Sequence, residues 1–302
     1  MLAPTGAGYA LAMKWRRTKS EHVDDIRGQT GAGRRVGVPL AAGGGLAGII
    51  ALLVALLAGG GGGGSGGLGS ILEQLPGAVP QESRSDEIAT EAQSEEAAFV
   101  EFLAEDTQAV WAAEFERAGQ EYRFARLNMF TGQVDTACGP ATSAVGPFYC
   151  PADGEVYIDL DFFRELSDRF GAPGDFAQAY VIAHEIGHHV QNLLGISDEV
   201  RDRQQAAGSQ AEANQWSVGL ELQADCLAGV WAHSVYARGD LEAGDIEEGL
   251  AAAQAVGDDR IQEQAGMDVN PETWTHGSAA QRQEWFNRGF GSGDSSRCDT
   301  FD

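Results

Sequence analysis

Apolar and polar positions alternate with different periods along the chain, and each period predicts an element. From Val36 to Ala58 the sequence VGVPLAAGGGLAGIIALLVALLA carries no charge over 23 residues. That length spans about 30 Å of hydrocarbon as a helix. Pro39 and Gly43–Gly45 weaken its first third, so Leu46–Ala58 is its strongest part. Residues 86–118 are rich in Ala, Glu and Gln, and Phe99, Leu103, Val110 and Phe115 recur on one helical face. Residues 122–135 read as extended. Val156, Ile158 and Leu160 then alternate with Tyr157, Asp159 and Asp161, the period of a half-buried strand. Asp153-Gly154 is a tight-turn signal, so a hairpin over Phe148–Asp161 is predicted.

Four helices are predicted after it. Pro173-Gly174 breaks the chain, Asp175 can cap, and Gln178 stands at the capping-box position of a helix that ends at Gly195. A second long helix covers 213–238 and a third 244–256. The last starts near Ser278, with Gln281 completing a capping box, and ends at Gly289.

Charge and composition give these elements an orientation. The net charge is −25. Residues 1–35 hold seven Lys/Arg against three acids, a net of +4, which leaves −29 for the rest. An acidic body excludes nucleic-acid binding, which needs a basic face. Basic residues before the apolar stretch place the N-terminus in the cytoplasm and the body outside. The expected organisation is therefore a basic cytoplasmic segment (1–35), a transmembrane helix (36–58), a Gly-rich flexible linker (59–85) and a folded outer domain (86–302). Met13 stands directly before KWRR, so translation can begin there and residues 1–12 are dispensable. Cys138, Cys150, Cys226 and Cys298 all fall on the expected outer side, where disulfides persist. Three pairings exist. Cys138–Cys150 is favoured because it closes a short loop beside the hairpin, and Cys226–Cys298 follows by elimination.

The chemistry concentrates in HEIGHHVQ, residues 184–191. His184 and His188 are i and i+4, so two imidazoles aim at one point of a helix face. This suits tetrahedral Zn2+. Glu185 sits about 100° round the helix, where it can act as general base on a water held at that point. His189 points away and reads as structural. Gly187 costs a helix about 1 kcal/mol relative to Ala, which a close backbone approach would explain. The third ligand is not a histidine shortly after His188, because that window reads VQNLLGIS. Glu221 and Asp225, again i and i+4, lie among Leu220, Leu222, Ala224, Leu227 and Trp231. Buried acids need partners. Glu221 can bind the metal, and Asp225 can orient a liganding histidine. His233 is a weaker candidate ligand.

HEIGH followed by ELQAD resembles the gluzincin kind of zincin metallopeptidase. With GPFYCPADGEVYIDLDFF, ELQADCLAGVWA and HGSAAQRQEWFNRGF, the chain is similar to the neutral zinc metallopeptidase family of bacterial membrane-anchored proteins. The resemblance runs from Lys14 to the end. It implies zinc on His184, His188 and Glu221, with Glu185 catalytic. It also implies an α+β, zincin-like fold: a small sheet over the active-site helix and a helical second half. A peptide or protein substrate is then expected, with an edge strand pairing to it. His276, Tyr157 and Tyr149 are candidates to meet the developing oxyanion. Two other classes remain: a metal-stabilised binding or scaffold protein without turnover, and a helical membrane protein whose histidines bind nothing.

Overall fold

The computed structural model describes residues 13–28 and 91–301. The apolar stretch 36–58 and the linker 59–85 lie outside the described residues. Among those described, no helix is long and apolar enough to cross a membrane.

The architecture is α+β, with a small sheet and a helical second half. Strands β1 (Val23–Asp25), β2 (Arg126–Phe130), β5 (Phe148–Cys150) and β6 (Glu155–Asp159) form one sheet in the order β1-β2-β6-β5. β1 and β6 flank β2 in parallel, while β5 closes the hairpin antiparallel to β6. β3 (Gln133–Thr136) and β4 (Gly139–Thr142) make a separate antiparallel pair. The helices are α1 (Glu91–Arg117), α2 (Asp161–Asp168), α3 (Asp175–Leu193), α4 (Ile196–Ala206), α5 (Gln210–Arg238), α6 (Asp245–Ala255), α7 (Asp258–Gln264) and α8 (Ala279–Ser292).

The main core joins Leu127 and Met129 of β2 and Val156 and Ile158 of β6 to Phe176, Ile182 and Ile186 of α3, Trp231 of α5 and Phe286 of α8. α3 and α5 are central. From Phe176 to Val190 almost every residue of α3 is buried, as is every residue of α5 from Gly219 to Ala232. A helix that is apolar nearly all round must be enclosed on all sides.

The hairpin forms with its predicted turn, but β6 is not half-exposed. Val156 through Asp159 are all buried. Val156 and Ile158 face the main core, while Tyr157 packs with Phe130 and Cys150 in a second cluster. Asp159 is satisfied there by the Gly132 N–H at 2.9 Å and the Ser143 hydroxyl. Both expected disulfides, Cys138–Cys150 and Cys226–Cys298, are present.

Two expectations are corrected. Asp175 does not cap α3. The N-cap is Gly174, the Asp175 carboxylate accepts the Met13 N–H at 2.8 Å, and the Phe176 N–H goes to Glu248. α8 does make its Ser278–Gln281 capping box, but runs past Gly289 to a left-handed Gly293. Gly289 instead serves helix packing: a Cβ there would lie 1.9 Å from the Cys226 carbonyl oxygen, and one on Gly229 would lie 2.1 Å from that of Phe286. Residues 13–28 pack on the body: β1 extends the sheet in register with β2, and the rings of Trp15 and Phe99 meet at a tilt, their centroids 5.2 Å apart.

Gly229→Ala and Gly289→Ala should each force α5 and α8 apart. A loss of about 1–3 kcal/mol is expected for each, read as a shift in the urea midpoint. Their combined effect should fall short of the sum, because the first change already opens the contact.

Candidate metal centre

α3 and α5 meet face to face where both can afford it. A Cβ on Gly187 would lie 3.1 Å from the Ala224 carbonyl oxygen and 3.2 Å from its Cα. The helices can approach this closely because residue 187 lacks a side chain. The approach brings His184 and His188 of α3 against Glu221 of α5. His184 Nε2 is 3.2 Å from Glu221 Oε2, and His188 Nε2 is 3.4 Å from Glu221 Oε1. One ligand atom from each of the three lies within 4.8 Å of the other two.

The remaining imidazole nitrogens are tied off. His184 Nδ1 meets Asp225 Oδ1 at 2.9 Å, and His188 Nδ1 meets Gln191 Oε1 at 2.8 Å. With both Nδ1 atoms donating to an oxygen acceptor, each Nε2 is left with its lone pair facing the other ligands. Gln191 is itself held, donating to the Leu220 carbonyl at 2.7 Å and Gln223 at 3.0 Å. The donor set fits zinc. Atoms about 2 Å from a tetrahedral ion sit about 3.3 Å apart, close to the two separations found. Two imidazoles and one carboxylate leave a fourth position free for water or substrate.

Burial and charge act against each other here. Burial pushes the Glu221 carboxyl up, but His188 and His184 outweigh it and hold the group well below the usual carboxylate range. Glu185 is also buried, at 8 % exposure. Burial raises its carboxyl, partly offset by the neighbouring His184 and His188. A raised carboxyl is a better proton acceptor than an ordinary one.

A family model described as "Putative neutral zinc metallopeptidase" matches residues 13–301. The chain belongs to this family. It is similar to the uncharacterized protein YpfJ of Escherichia coli K12, 47% identical over 96% of this chain and 99% of that protein. It is also similar to the uncharacterized protein Rv2575 of Mycobacterium tuberculosis, 52% identical over 60% of this chain and 63% of that protein. No solved structure matches.

Arg282, Tyr180 and Asp258, which surround the family's motif, were not singled out in the sequence, whereas Asp225 was. Asp225, fully buried, accepts from Arg282 Nε at 2.8 Å and Nη2 at 2.9 Å, and from the Tyr180 hydroxyl. Burial raises the Asp225 carboxyl, but Arg282 and then His184 outweigh it and keep it low, hence ionised. Arg282, on α8, also lies 3.9 Å from Glu221. Its only sequence signal was membership of HGSAAQRQEWFNRGF.

His276 lies beside this cluster. Asp258 accepts its Nδ1–H at 3.1 Å and the backbone N–H groups of Thr275, His276 and Gly277. Burial lowers the His276 imidazole, but Asp258 and the charge of Glu221 outweigh it and hold it above its usual range. His189 is structural, as expected, bonded to the Arg123 carbonyl at 2.6 Å and the Tyr149 hydroxyl at 3.1 Å. That hydroxyl also accepts from Asn192. Tyr157 donates to Asp153 and Glu155 at the hairpin turn and is not brought to the histidines. His233 bonds the Phe290 carbonyl and takes no part.

Removing Arg282 would leave Asp225 buried without its main counter-charge. Arg282→Gln should cost about 3–5 kcal/mol, measured by urea denaturation. Arg288→Gln, which removes an exposed guanidinium over Trp285, should cost less than about 1 kcal/mol. Equal losses would show that the buried pair contributes nothing special.

Proposed function

We propose that the chain is a zinc-dependent endopeptidase with a zincin-like arrangement of the gluzincin kind. The observation that carries this reading is the convergence of His184, His188 and Glu221, with the buried Glu185 next to them on the same helix. Zinc held by those three would polarise the scissile carbonyl and make the attacking water more acidic.

Glu185 takes the proton of that water as its oxygen bonds to the carbonyl carbon. It then delivers the proton to the amide nitrogen as the C–N bond breaks, so the carboxylate is regenerated. His276 is oriented for the negative charge that develops on the carbonyl oxygen. Asp258 holds Nδ1 and leaves Nε2 free, and the charges of Asp258 and Glu221 favour the imidazolium form that would donate from it. Asp225 fixes the tautomer of His184 and does not touch substrate. β5 is an edge strand beside α3, tied to it through Tyr149. Its open edge supports pairing with an extended peptide or protein substrate.

The location outside the cytoplasm is supported by the two disulfides, which persist in oxidising compartments. The uncharged stretch 36–58 supports attachment to a membrane.

The decisive experiment measures zinc content and peptide cleavage on the same preparations. About one zinc per chain is expected, lost or much weakened in Glu221→Ala. Glu185→Gln should keep its zinc and lose activity by about 100- to 10,000-fold. Wild-type protein that folds and stays zinc-free when zinc is supplied would overturn the reading. A Glu185→Gln variant with undiminished cleavage would remove Glu185 from it.

A further inference from the structure

A second group of acids sits at the start of α3, away from the metal ligands. One oxygen each from Asp175, Asp245 and Glu248 lies within 4.8 Å of the other two. Glu248 is drawn in closely: a Cβ on Gly174 would lie 2.1 Å from its carboxyl carbon. Asp245 is 1 % exposed. Its Oδ2 accepts the Glu242 N–H at 2.7 Å, but its Oδ1 is buried with no hydrogen-bond partner among the described residues. Lys14, next to Met13 in the chain, is turned to the Gly239 carbonyl and to Glu242 instead. Three carboxylates gathered without a cation repel one another. Burial, with the neighbouring Asp245, pushes Asp175 up to about 6, and burial, with Asp175 and Asp245, pushes Glu248 up to about 7.

Into this group points the backbone nitrogen of Met13, 2.8 Å from Asp175 Oδ2. The Met13 side chain is 2 % exposed and belongs to the main core. As a peptide group, that nitrogen offers one proton and no charge. As a free amine, it offers three protons and a positive charge at neutral pH.

We infer that the functioning chain begins at Met13, and that Asp175, Asp245 and Glu248 form a pocket for its α-ammonium. The chemistry is a charge-assisted hydrogen-bond set between one ammonium and three carboxylates. A free ammonium, with two more protons than the peptide N–H, would offer Asp245 Oδ1 a partner that it lacks among the described residues. The family match also begins at residue 13, and the match to the Escherichia coli relative leaves only about 1% of that protein uncovered. The docked amine ties the first residue of the chain to the first residue of the helix that carries HEIGH. This inference stands independently of peptidase activity.

The test has two parts. Protein made from the natural gene, with both start sites intact, is weighed whole by mass spectrometry. A free amine on Met13 is expected; a chain beginning at Met1, or a blocked Met13, would overturn the inference. Then the chain from Met13 is compared with one carrying a single extra alanine before it. The extension should lower Tm by about 4 °C or more, and the difference should vanish in Asp245→Asn and Glu248→Gln backgrounds. No effect of the extension would overturn the inference. So would a calcium- or magnesium-dependent rise in Tm of the chain from Met13 that Asp245→Asn abolishes, which would assign the pocket to a metal.

Discussion

A buried carboxylate with no counter-charge is among the least tolerable things a fold can contain, and Asp225 would be that group here without the partners that two other helices bring to it. It is offset from two other helices at once. Tyr180 and His184 reach it from α3, and Arg282 reaches it from α8 with two nitrogens. Each of these contacts fixes a helix in rotation as well as in distance. The direction of His184 Nε2 is therefore set by where Asp225 stands, and the position of Asp225 is set by the guanidinium. The candidate metal centre is the open side of this network, and its orienting shell is the closed side.

Such a network needs helices closer than ordinary side chains permit. Gly187 against Ala224 draws α3 to α5, and Gly229 with Gly289 draws α5 to α8. The glycines give up helix propensity, and what they gain is reach. A carboxylate has a short side chain, and at a wider helix separation Asp225 would fall short of His184.

Features written in short stretches of sequence were legible; those made by distant pairing were not. The i, i+4 spacing of His184 and His188 fixes their common direction in any helix. Glu221 and Asp225 stood out because acids among leucines and alanines demand partners. Gly187 was read as a close approach, and Ala224 is what it approaches. Arg282 gave no such cue, since an arginine between two glutamines resembles any exposed helix position. Asp258 was missed for the same reason: it gathers N–H groups from a loop far along the chain. β1 escaped because Val23–Asp25 is three residues long, mostly polar, and completes its pairing only with a strand about a hundred residues away. Asp175 was misread as a cap because the residue that claims its carboxylate, Met13, lies 162 positions earlier.

The guanidinium comes late. Arg282 follows Asp225 by 57 residues, so at roughly 5–20 residues per second a nascent chain waits roughly 3–11 s between the two. During that time all three histidine and glutamate ligands have been made, while the acid that orients them lacks its counter-charge. Pairing α3 with α5 before α8 is available would bury Asp225 without its main counter-charge, at a cost of several kcal/mol.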